Sequence, residues 1–171
     1  MEKKSVEGGV RMLRRYLGVV VAVVLLAVLA GAQEYILIGG VAPLSAPGAA
    51  ESGHEMKLAM EMAVEEINAA GGVLGKPIKL VVEDTRGLPE EGAAAMNRLA
   101  DMGVVGVVGE FHSAVAKAEI EVAQARKTPF IISEAWADVL TAKQYEYVFR
   151  LAPANSLFYT KVADWIRAVG F

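Results

Sequence analysis

Residues 63–92 read AVEEINAAGGVLGKPIKLVVEDTRGLPEEG, and this stretch decides the fold. Its first part ends a helix. Met56, Ala59, Met60, Ala63, Val64 and Ile67 recur at helical spacing and make one apolar face. Glu55, Glu61, Glu65 and Glu66 lie mostly off that face. Asn68 and Gly71-Gly72 stop the helix, since glycine reaches positive φ cheaply. Ile78–Asp84 then reads as a strand. Pro89, followed by Glu90 and Glu91, opens the next helix: proline loses nothing at the first helical position, and acids suit the positive end of the dipole.

The same alternation continues on both sides. Tyr35–Val41 is a short apolar run with glycine near its end, read as a buried strand, and a small-residue loop follows from Ala42 to Ser52. Downstream, Val104–Val108 is a third strand. Ser113 sits where a cap would start a helix running to Arg126. Pro129–Ser133 is a fourth strand, Tyr147–Arg150 a fifth, and Asn155–Val169 a last helix. Strand–helix repetition with right-handed crossovers predicts an α/β fold, a doubly wound parallel sheet. Ligands in such sheets bind at the carboxyl ends of the strands, so any site is expected in the loops Ala42–Ser52, Glu110–Ser113 and Ser133–Asp138.

The amino terminus reads differently. Arg11, Arg14 and Arg15 precede an uncharged apolar run, Leu17–Ala32, which closes on Ala30-Gly31-Ala32. That is the pattern of a secretory signal over residues 1–32, cleaved after Ala32 or else kept as an anchor. The run is short for a spanning helix, which takes about 20 apolar residues. Met12 offers a more compact start than Met1. The expected product is exported, periplasmic or extracellular, with residues 33–171 as its folded part. Removing the five Lys/Arg and two Asp/Glu of residues 1–32 leaves 12 and 18, a formal charge of −6. Without a basic cluster such a chain is a poor partner for nucleic acid. With no cysteine it has neither a disulfide framework nor thiolate chemistry.

Catalytic and cofactor motifs fail on inspection. Gly71–Pro77 has three residues between its first and last glycine where a phosphate loop needs four, Pro77 replaces the Ser/Thr, and the order is helix to strand. Gly103, Gly106 and Gly109 do not make G-x-G-x-x-G. His54 and His112 lack any metal-ligand spacing. Asp84, Glu110 and Glu134 all fall near the carboxyl edge, but no activated nucleophile accompanies them, and they are expected to hold loops or meet water. No catalytic residue, metal or cofactor is expected. Ser113 is the most pointed residue. It follows a strand and starts a helix, so its hydroxyl and the first free N–H groups can face one anion, or the hydroxyl can simply cap the helix.

Residues 63–92, together with Pro43-Leu44-Ser45 after the first strand and Gly109-Glu110-Phe111-His112-Ser113 after the third, resemble the type I periplasmic solute-binding proteins. The leucine/isoleucine/valine-binding branch is the nearest match. Ser133-Glu134-Ala135-Trp136-Ala137 and Val148-Phe149-Arg150 with Pro153 fit the same pattern, so the resemblance runs from Tyr35 onward. It implies a Rossmann-like amino-terminal lobe of a two-lobe receptor, with the second lobe absent. The implied function is delivery of amino acids or similar small solutes to the membrane permease subunits of an ABC transporter. It implies that Ser113 takes the ligand carboxylate and that the Ala135 carbonyl faces the ammonium. Two positions depart from the pattern: Trp136 stands where the family commonly has Thr, and Ser52 where it often has an aromatic. Trp136 suits stacking on a flat or apolar ligand. His112, in a carboxyl-edge loop, is a further candidate ligand contact. Against this receptor stand two other classes, a membrane-anchored sensor using the same lobe and a small α/β enzyme.

Overall fold

The computed structural model describes residues 35–170; the expected leader lies outside the described residues. Five strands lie parallel: β1 (Ile36–Ala42), β2 (Ile78–Asp84), β3 (Val107–Gly109), β4 (Phe130–Ile132) and β5 (Val148–Arg150), in spatial order β2-β1-β3-β4-β5. Four helices connect or follow them: α1 (Ala50–Ala69), α2 (Pro89–Asp101), α3 (Ser113–Arg126) and α4 (Asn155–Ala168). A 3₁₀ turn, Asp138–Thr141, joins β4 to β5. This is the doubly wound parallel sheet the alternation predicts, with the order reversing after β2.

The helix-to-strand turn of the deciding stretch is closed by Asn68. Its amide donates to the Ile78 carbonyl at 2.9 Å and accepts the Ile78 N–H at 2.7 Å, tying the end of α1 to the start of β2. Gly72 is required there: its φ is +75°, and a Cβ would fall 2.1 Å from the Lys76 carbonyl oxygen.

Alternate residues on the strands face opposite sides of the sheet. Val107, Phe130 and Val148 are in register and face the core side, together with Val41. They pack under α2 and α3, with Met96, Leu99, Ile120 and Leu140 fully or almost fully buried. Each such side chain contributes about 1.5–3 kcal/mol by leaving water. The next row, Val108, Ile131 and Phe149, faces the other way, and Ile131 and Phe149 are exposed. On that side α1 lies over the sheet. Its apolar face is the one the spacing predicts, but it leaves a cleft of about 430 Å³ between Met56, Met60, Val64 and the strand residues Ile38, Leu80 and Val108.

Two boundaries differ from the sequence reading by more than a residue. The loop expected to run to Ser52 ends at Ala49, so Ser52 and His54 lie within α1. Gly53, which suggests a loop, is instead where the helix touches the preceding segment: a Cβ there would meet the Pro43 carbonyl oxygen at 2.1 Å. β3 is shifted from 104–108 to Val107–Gly109, although Val105 N–H already donates to the Leu37 carbonyl. Among the described residues no helix is long and apolar enough to cross a membrane.

Candidate functional site

The loops at the carboxyl ends of β1, β3 and β4 meet as the fold requires. The first, residues 43–49, is fixed by Asp84 at the end of β2. The Asp84 carboxylate accepts Leu44 N–H and Arg86 N–H at 2.8 Å each and the Ser45 hydroxyl at 2.5 Å. Burial works to raise the Asp84 pKa, but the bonds from Ser45, Arg86 and Leu44 outweigh it and hold the carboxyl below its ordinary value.

Glu110 fixes the second loop. It is fully buried, and accepts the Thr85 hydroxyl at 2.8 Å and the His112 N–H at 2.9 Å. The His112 ring nitrogen Nδ1 sits 3.3 Å from the same carboxylate, and the ring meets Phe111 edge-on at 5.2 Å. Gly87 leaves the space this ring needs; a Cβ there would lie 3.0 Å from it. Both acids therefore hold loops by hydrogen bonds.

Glu119, a fully buried residue of α3, is a different case. Both its carboxyl oxygens are without a hydrogen-bond partner. Burial, and then the charge of Glu110, push its pKa well above the ordinary carboxylate range. Sequence reading gave no sign of it, since Glu119 looks like any acid on a surface helix.

Ser113 is the first residue of α3 and not its cap. His112 holds the cap position, and no side chain caps that end. The Ser113 hydroxyl instead accepts the Ala137 N–H at 3.2 Å, which joins the start of α3 to the loop after β4. Its own proton remains for donation. The reading of Ser113 as a helix cap is thereby corrected; its place at the carboxyl edge stands.

A cavity of about 380 Å³ opens beside it, lined by Phe111, Ser113, Glu134, Trp136 and Asn155. A smaller one, about 300 Å³, is bounded by Ser52, Glu55, Met56, Ala59, Phe111 and Glu134. Phe111 and Glu134 border both; Ser52 lines the smaller cavity, and Ser113 and Trp136 line the other. Ala135 is buried behind it, its N–H donating to the Glu110 carbonyl at 3.0 Å. His112 lines neither cavity: its ring turns back to Glu110.

Arg150, at the carboxyl end of β5, had no site role in the sequence reading. It donates to the Ala137 carbonyl through Nη2, while Nε and Nη1 are buried without partners. A fixed positive charge thus sits behind the loop that carries Trp136. Its sequence signal, a lone cation ending an apolar strand, is weak. Among the described residues no cluster of three or more acids, histidines or cysteines is arranged to hold a metal.

Residues 36–170 match the family model described as periplasmic binding protein. The Leu/Ile/Val-binding protein homolog 3 of Brucella melitensis is 34% identical over 131 residues, covering 77% of this chain and 35% of that protein. Among solved structures, the branched-chain amino acid transporter substrate-binding protein of Streptococcus pneumoniae, in complex with isoleucine, superposes with a TM-score of 0.68 at 32% identity. It covers 72% of this chain and 35% of that one. An ABC transporter substrate-binding protein of Desulfitobacterium hafniense, in complex with Leu, gives 0.71 at 26% identity over 80% and 40%. The chain spans between about a third and two fifths of the length of these relatives. The parallel five-strand sheet, the loops gathered at its carboxyl edge and the match over residues 36–170 agree, and the chain belongs to the periplasmic binding protein family.

Proposed function

We propose that this chain forms one lobe of an extracytoplasmic solute receptor that passes amino acids, branched-chain ones among them, to the permease subunits of an ABC transporter. The observation that carries the reading is the cavity of about 380 Å³ at the carboxyl edge, with Ser113 on its wall. A carboxylate there meets the Ser113 hydroxyl proton and the positive end of α3, with Arg150 behind. The Ala135 carbonyl and Ser52 complete the polar and open sides, and His112 acts through Glu110 to hold the loop. Residues 1–32 serve as the export signal. Of the three carboxyl-edge acids, Asp84 and Glu110 are committed to loop hydrogen bonds, which supports binding over chemistry on the solute.

A helix terminus contributes about 0.3–1 kcal/mol toward an anion while water competes, and more once a second lobe excludes it. The chain alone is therefore expected to bind amino acids in the millimolar range, about −4 kcal/mol. Calorimetric titration of the chain, and of the chain joined to a relative's second lobe, tests this. The joined protein should bind orders of magnitude more tightly, and Ser113→Ala in it should weaken carboxylate-bearing ligands. Indifference to Ser113→Ala would refute the placement of the site.

A further inference from the structure

Aromatic rings crowd the edge where the solute is proposed to sit. Phe111 and Trp136 line the cavity beside Ser113, and remain 39% and 37% exposed. Phe158 of α4 meets Trp136 with ring centroids 5.4 Å apart, tilted by 59°, and is itself 42% exposed. Large apolar rings left this open on a cavity wall are surface that gains when a ligand covers it. Trp136 is held in place from its backbone, since its carbonyl accepts the Asn155 N–H at 2.9 Å. That bond ties its backbone to the start of α4, and its ring rests against Phe158 of the same helix.

The charges on the same wall narrow the choice further. Glu134 borders both carboxyl-edge cavities, and Glu55 borders the smaller one. Arg150 lies on the other side of the loop, bonded to the Ala137 carbonyl. A ligand with only a carboxylate would meet Glu134 as a like charge. One carrying an ammonium beside its carboxylate can set each charge against its opposite.

We propose that this cavity selects an α-amino acid with a flat aromatic side chain, with Trp136 as the specificity-determining residue and Glu134 as the carboxylate that holds the α-ammonium. The inference rests on the reading of the carboxyl edge as the solute site. A stacked or edge-on ring pair adds to area burial by an amount worth about fivefold in affinity. Phenylalanine should therefore bind about fivefold more tightly than leucine. Removing the ammonium, as in 3-phenylpropanoate, should cost about as much.

The test is a nuclear magnetic resonance titration of the 171-residue chain, which reads millimolar binding directly. The indole N–H signal of Trp136 is assigned with a Trp165→Phe variant, and the ligands are phenylalanine, leucine, 3-phenylpropanoate and phenethylamine. Phenylalanine should shift the Trp136 indole at the lowest concentration. Trp136→Thr should bring phenylalanine and leucine level. Glu134→Gln, an exposed position that leaves the fold alone, should bring phenylalanine and 3-phenylpropanoate level. Leucine binding as tightly as phenylalanine to the unaltered chain would overturn the inference while leaving the solute site in place. So would a Glu134→Gln variant with the same preference for the zwitterion. If none of the four ligands moves any signal at the carboxyl edge, the solute site itself is refuted, and the inference with it.

Discussion

Glu119 gives the sharpest quantitative test of the packing. Its carboxyl is fully buried between α3 and the elements around it, and neither oxygen has a hydrogen-bond partner. An unsatisfied buried polar group costs about 1–3 kcal/mol. Methionine has a similar length and volume and nothing to satisfy, so Glu119→Met is expected to stabilise the domain by about 1–3 kcal/mol at pH 7. For a domain of this size that is a rise in melting temperature of roughly 3–5 °C per kcal/mol. The effect should depend on pH in a fixed direction. The folded-state pKa of Glu119 is raised, so the native state binds a proton that the unfolded chain releases. The stability from that proton is fully present below the unfolded pKa, near 4.3, and is lost as pH rises toward the folded one. The advantage of Glu119→Met over the unaltered protein should therefore grow from pH 5 to pH 8. Glu119→Gln, which cannot ionise, should remove that pH dependence, because taking the difference cancels every other titrating group. Circular-dichroism melts of the three proteins at pH 5, 6, 7 and 8 measure this. A destabilising Glu119→Met with a pH-independent difference would refute the reasoning, since it would mean that the carboxyl is paired in solution.

Three further outcomes are expected. Gly109→Ala should abolish folding or cost about 4 kcal/mol or more, read as loss of soluble protein or of the melting transition. At its φ of +147° a Cβ would lie 2.0 Å from the Val41 carbonyl oxygen. Asp84→Asn should weaken the loop 43–49 by about 1 kcal/mol at pH 7, allowing for solvent screening. Because the Asp84 pKa is lowered, its contribution is present above the unfolded pKa and lost as pH falls through the folded one. Acid melts of the variant should lack that loss. Mass spectrometry of exported protein should find Gln33 at or within a residue or two of the start, and an intact amino terminus would refute cleavage.

How much of this could be read from the chain depends on how local each cause is. β2 was legible to the residue, because Asn68, the glycine turn and Pro89 punctuate it on both sides. α3 was equally legible from Ser113 to Arg126. The start of α1 was not. Ser52-Gly53 has loop chemistry, and only the approach of Pro43 shows that the glycine is there for contact. The apolar face of α1 was visible as a pattern, whereas the cleft it leaves against Ile38 and Val108 is set by how far the helix stands from the sheet. The carboxyl-edge loops followed from topology alone. The partner of Ser113 did not, since Ala137 lies 24 residues away in sequence. Glu119 and Arg150 were missed for the same reason: burial of a charged side chain is a tertiary fact with no periodic signature.

On the proposed function the solute meets the carboxyl edge and not the larger cleft under α1. A backbone amide-shift map of the 171-residue chain titrated with amino acids measures this most directly. Shifts are expected at Phe111, Ser113, Ala135, Trp136 and Ala137, with the strand residues Ile38, Leu80 and Val108 unmoved. Shifts confined to Ile38, Leu80, Val108 and the Met56–Val64 face of α1, with Ser113 and Ala137 unmoved, would contradict it.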